Sequence, residues 1–228
     1  MNLFRHIPHL LFLLTLGTAP ASATLILDDF ESYADTPALE AAWIADSGDP
    51  MLRLETNPAS VHSGSQAMAV DYTVGDAPFE DILIFDLGPP QDWTSFNLLE
   101  IWYRAPSAPL NPLDDLFVEI LDSGGGQVGQ ATISDGTRTT NWTPWTIDIT
   151  LFPGNLADVM EVRLGVEAGS AFGSGTMFFD DISLMTVPEP STTMLLSLSL
   201  LPLVVARGLT SRFGWRSKRS SRIQSTRT

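Results

Sequence analysis

Between residues 24 and 185 this chain never sustains one hydrophobic period for long. Short apolar–polar alternations are cut repeatedly by Gly88-Pro89-Pro90, by Ala105-Pro106 through Pro112, by Gly124-Gly125-Gly126, by Pro153-Gly154-Asn155 and by the glycines of 169–175. Breakers at that density exclude long helices and leave short strands, the pattern of an all-β sandwich. Strands are expected at 25–27, 51–55, 67–73, 82–87, 98–104, 116–122, 127–133, 145–149, 160–166 and 176–184. Only 37–44, PALEAAWI, reads as a helix, with proline in its first turn and Leu, Ala and Trp along one side. No repeat at a fixed period is visible, which argues against a solenoid or propeller. The triple glycine joins two strands and precedes no helix, so it marks a hairpin and not a phosphate loop.

Strand side chains alternate between two faces, so each alternation assigns a phase. Leu99, Ile101 and Tyr103 belong to the core, as do Leu116, Val118 and Ile120, and Met160, Val162, Leu164 and Val166. The opposite phase holds Glu100, Trp102 and Arg104 on the first strand, Glu119 on the second, and Glu161 and Arg163 on the third. Trp43, Trp93, Trp142 and Trp145 are expected as core or loop anchors, since aromatic rings dominate buried cores. Trp102 is different, because its ring shares the outward phase with charged groups and is free to stack on a sugar. If the three strands are neighbours, Trp102, Arg104, Glu119 and Arg163 form one ligand-binding patch.

Charge divides along the chain. Of 12 basic residues, only Arg53, Arg104, Arg138 and Arg163 fall between 24 and 185, against every acidic residue of the 27 except Glu189. Such a polyanion repels nucleic acid, whose affinity for proteins comes from cations, and leaves neutral sugars, calcium or basic partners as candidates. There is no cysteine, so stability must come from a core, helped by any bound metal. The stretch is long enough for one domain, 24–185.

An enzyme is not expected. Beyond residue 23 the chain has one histidine, His62, and no cysteine, which excludes multi-histidine metal clusters and Cys/His nucleophiles; no G-x-S-x-G elbow occurs. Two carboxylates suffice for glycoside hydrolysis, but in so acidic a domain a pair is always findable and none is singled out.

The ends carry the address. Residues 1–23 have Arg5, an apolar core at 10–16, a Gly17/Pro20 break and the small-residue triplet Ala21-Ser22-Ala23, the layout of a cleavable secretory signal. The apolar core is too short to span a bilayer, which takes about 20 apolar residues. Residues 186–228 run from Val187-Pro188-Glu189-Pro190-Ser191 through the apolar segment 194–206, read as a single hydrophobic helix, to a tail with seven cations, which resist translocation. This segment resembles the PEP-CTERM sorting signal of Gram-negative bacteria. The resemblance implies exosortase as a partner, a transient membrane anchor with the basic tail cytoplasmic, and delivery to the cell surface or the extracellular polysaccharide matrix. The tail continues to Thr228, longer than that family's pattern.

Three further pieces, DDFES at 28–32, HSGSQAMAV at 62–70 and GTMFFDDISL at 175–184, resemble the jelly-roll carbohydrate-binding modules of the galactose-binding-like superfamily. The resemblance implies a jelly-roll β-sandwich with first and last strands side by side and a structural calcium between them. The matching oxygens are those of Asp28, Asp29, Glu31, Asp180 and Asp181, with Glu31 and Asp181 foremost. Calcium takes six to eight oxygen ligands, and such carboxylates gathered without a cation repel one another. The function expected is non-catalytic, weak glycan binding; the alternatives are a structural matrix component without a discrete ligand site and a glycoside-acting enzyme.

Overall fold

The computed structural model describes residues 23–75, 80–169 and 173–187. The leader, the segment from Pro188, Glu189, Pro190 and Ser191 onward and its apolar run lie outside the described residues. Among those described, no helix is long and apolar enough to cross a membrane.

The strands are β1 (Thr24–Asp28), β2 (Trp43–Ser47), β3 (Met51–Glu55), β4 (Ala67–Val74), β5 (Glu80–Gln91), β6 (Leu98–Arg104), β7 (Asp115–Asp122), β8 (Gln127–Ile133), β9 (Thr143–Asp148), β10 (Val159–Glu167) and β11 (Gly173–Met185). A short helix α1 (Thr36–Ala42) precedes β2. Its start is fixed by Asp35, whose carboxylate accepts from the Ala38 N–H at 3.0 Å, and by the proline behind it.

All pairings are antiparallel and make two sheets. The first runs β3-β4-β11-β6-β9, with β1 also on β11; the second runs β2-β5-β10-β7-β8. β11 organises the first sheet: β6 flanks it on one edge, while on the other β4 pairs with Gly173–Phe179 and β1 takes over from Ile182. The first and last strands therefore do lie side by side. Between the sheets sits one apolar core that includes Leu39, Trp43, Trp93, Leu99, Ile101, Ile120 and Leu164, all at most 1% exposed. Burying a side chain of this size is worth about 1.5–3 kcal/mol.

Two local expectations are corrected. The helix ends at Ala42, two residues early, because Trp43 turns extended and opens β2. Its indole is fully buried, stacks on Phe85 at 4.8 Å and donates to Asp28 Oδ2 at 2.8 Å, tertiary contacts that a further helical turn would break. In β10 a bulge between Val159 and Glu161 puts Val159 into the core in place of Met160. Val162, Leu164 and Val166 keep the expected inward phase.

Candidate functional site

The acidic ends form a clasp and not a single cage. Where β11 changes neighbours its pairing with β6 shifts register, and Asp181 takes a positive φ of 45°. That kink aims Asp180 and Asp181 at the segment before β4. Asp180, fully buried, accepts from the N–H groups of His62 (2.9 Å), Ser63 (3.2 Å) and Asp181 (2.9 Å). Burial pushes its carboxyl up to about 6 despite the opposing pull of those donors. Asp181 meets His62 Nδ1 at 2.7 Å and accepts from the Ser63 hydroxyl at 3.0 Å.

Glu31 holds the other side of the same segment. It accepts from Ser65 N–H and Oγ–H, both at 2.7 Å, and from Gln66 N–H at 2.8 Å, and the Ser65 hydroxyl above all holds its carboxyl below the ordinary range. Asp28 is turned inward, where Phe30 N–H, the Tyr33 hydroxyl and the Trp43 indole consume both oxygens. Among the described residues Asp29 accepts only from Glu31 N–H. The five expected ligands thus do not converge: Asp28 does not fit a cation site, and much of the like-charge repulsion is relieved by N–H and O–H donors. Among the described residues, the group that does converge is His62, Asp180 and Asp181, with one ligating atom each within 4.8 Å of the others. Calcium takes oxygens alone, so of this group only the carboxylates of Asp180 and Asp181 suit it, and the imidazole does not.

The outward phase of Trp102 holds, but its ring is not free. Leu99, Ile101 and Tyr103 are buried beneath, and Trp102 and Arg104 lie half-buried on the outer face of the first sheet. His62 stacks on the Trp102 indole with centroids 3.7 Å apart and planes at 17°, and the indole N–H donates to Glu100 at 3.1 Å. Trp142 meets His62 in an edge-to-face arrangement, with centroids 5.6 Å apart and planes at 60°. Arg104 donates to the Ala59 carbonyl at 2.8 Å and lies over the Phe178 ring at 5.4 Å. One face of the expected sugar platform is therefore occupied by a histidine of the chain itself.

The four expected ligand residues are not one patch. β6 pairs with β11 and β9, whereas Glu119 on β7 and Arg163 on β10 belong to the second sheet. There Ile44, Ile84, Arg163, Glu119 and Gln130 stand in one cross-strand row on the outer face. Arg163 is bonded to Glu161 and lies 3.6 Å from Glu119. Burial acts to lower the guanidinium's pKa, but Glu161, with Glu119 and Asp46, outweighs it and holds the group above its ordinary value. Alternation gave the phase of these residues; Gln130 completes the row and Glu161 flanks Arg163 on its own strand, and only strand order could have shown the row.

No family model and no curated protein matches the chain. Among solved structures it is similar to the family 11 carbohydrate-binding module from Clostridium thermocellum, determined in complex with a β-1,3-1,4-mixed-linked tetrasaccharide. The two are 17% identical over 75% of this chain and 100% of that one, with a TM-score of 0.54. The family 11 module of the cellulosomal cellulase Lic26A-Cel5E of Clostridium thermocellum gives 16% identity over 75% and 99%, TM-score 0.52. An arabinose-bound α-L-arabinofuranosidase, MgGH51, gives 20% identity and TM-score 0.55 over 71% of this chain but only 26% of that one. The fold is a jelly-roll β-sandwich. Identities this low carry the fold and not the ligand.

Proposed function

We propose that this domain is a non-catalytic module that binds a neutral polysaccharide weakly through the outer face of its second sheet. The observation that carries the reading is Arg163 held between Glu161 and Glu119, with Gln130 alongside and the 52% exposed Ile44 at the end of the row. A guanidinium and two carboxylates already fixed against one another offer donors and acceptors to vicinal hydroxyls with little ordering left to do, and an aliphatic side chain suits the C–H face of a sugar. A domain so rich in acids disfavours anionic polymers. The likeness to a module determined in complex with a mixed-linked tetrasaccharide supports the ligand class.

The leader and the VPEPS segment support export, with exosortase processing towards the cell surface or matrix. A calcium ion between Glu31 and Asp181 belongs to the same proposal, supported by both carboxylates gripping 63–66.

Affinity electrophoresis in gels containing mixed-linked β-glucan, agarose or arabinan tests the ligand reading. The wild-type domain should be retarded by at least one polymer, and Arg163→Ala with Glu119→Gln should remove the retardation while unfolding normally. No retardation of the wild type by any neutral polymer, with the domain pelleting in bulk matrix only, would favour the purely structural role.

A further inference from the structure

On the outer face of the first sheet, at the end remote from the clasp, β3, β4 and β11 frame an open cavity of about 330 Å³. That volume lies at the small end of ligand pockets, enough for a single ring and not for an extended chain. Its floor comes from two cross-strand pairs, Asp71 with Thr176 and Thr73 with Ser174. The hydrogen bonds along the floor leave unused valences. Thr176 Oγ1 donates to Asp71 Oδ1 at 2.6 Å and Arg53 approaches the same oxygen at 3.6 Å, so Asp71 Oδ2 has no protein donor among the described residues. Thr73 Oγ1 donates to Ser174 Oγ at 3.1 Å, which leaves the Ser174 hydroxyl hydrogen free to donate. The rim is Asp49, carried there by consecutive positive φ angles at Gly48 (77°) and Asp49 (65°), and Met51, 70% exposed.

We propose that this cavity is a second saccharide subsite, taking one uncharged pyranose of a neutral polysaccharide. Alternate acceptor and donor positions one strand apart match vicinal sugar hydroxyls, which each both give and take a hydrogen bond. The exposed thioether of Met51 offers a polarizable apolar surface to the ring's C–H face. Two carboxylates against one arginine at its margin reject uronates and sulfated sugars by like-charge repulsion. The inference shares the glycan reading of the second sheet but rests on different residues on the opposite face, so each site stands or falls separately.

Amide chemical-shift mapping of the domain with β-1,3-1,4-gluco-, agaro- and arabino-tetrasaccharides tests it. At least one sugar should shift the amides of Asp71, Thr73, Ser174 and Thr176 in a saturable way. Those shifts should vanish in Ser174→Ala/Thr176→Val, whose positions are exposed and half-buried and whose folding is checked by the unchanged core amides. They should persist in Arg163→Ala. Saturation confined to β10 and β7 overturns the subsite and leaves the first reading standing; shifts confined to β4 and β11 do the reverse. Cavity shifts that survive unchanged in the Ser174/Thr176 variant also overturn it.

Discussion

The stack of His62 on Trp102 sets a test that separates a structural ring from a ligand platform. Replacing a fully buried tryptophan by alanine costs about 3–5 kcal/mol. Trp102 is mostly but not fully buried, so a somewhat smaller loss, about 2–4 kcal/mol, is expected for Trp102→Ala. Within it, an aromatic pair at 3.7 Å and 17° should account for about 0.5–1.5 kcal/mol. Urea unfolding of the wild type, Trp102→Ala, His62→Ala and the double variant forms a cycle that isolates the pair term. His62→Ala also loses the contact to Asp181, but that loss occurs in both arms and cancels in the coupling energy. A coupling below about 0.3 kcal/mol, the limit of ordinary additivity, would refute the stack as a stabilising contact. In the gel assay, Trp102→Ala should keep the wild-type mobility shift, because one face of the ring is already taken. A variant that unfolds like the wild type yet loses all retardation would show that glycan reaches the indole, and the occupied platform would have to be abandoned.

Burial raises the pKa of Asp114, a fully buried carboxyl whose Oδ2 has no partner among the described residues. Its stabilising, protonated form is complete below the ordinary carboxylate range and is lost as pH rises through the raised value. Asp114→Asn should therefore gain stability over wild type progressively towards neutral pH, by up to about 1–3 kcal/mol, the cost of an unsatisfied buried group, and the urea midpoints at pH 4 and 7 measure it. If Glu31 and Asp181 share a calcium ion, calcium at 100 times its Kd should stabilise the domain by about 2.7 kcal/mol, lost on chelation and absent in Asp181→Ala; identical melting with calcium and chelator removes the ion. Intact mass of the secreted protein should give a chain starting at Thr24 and lacking the arginine-rich tail, and a surface protein that retains the tail contradicts the sorting proposal.

Every strand except β2 was legible, because alternation and breaker residues are local and each signals itself. β2 was lost for a physical reason: Trp43 and Ile44 extend the apolar stripe of α1, and only the stack on Phe85 and the hydrogen bond to Asp28 decide that the chain unwinds there. The Met160 to Val159 exchange has the same origin, since a bulge breaks the period that the phase argument assumes.

The site was less legible because a phase says which way a side chain points and nothing about its neighbours. Trp102 and Arg163 both face outward, yet they belong to opposite sheets, a fact fixed by β11 pairing with β6 and β5 pairing with β10. The partners of His62 are hidden from the sequence for the same reason, since Asp180 and Asp181 lie 118 and 119 residues away. Once strand order is known, the outward charges fall into two groups with different chemistry. Arg104 spends its guanidinium on a backbone carbonyl and the Phe178 ring, holding down the segment that carries His62, while Arg163 keeps its guanidinium among carboxylates on a sheet face. The first arrangement fixes a loop, and the second is the one left with groups to offer a ligand.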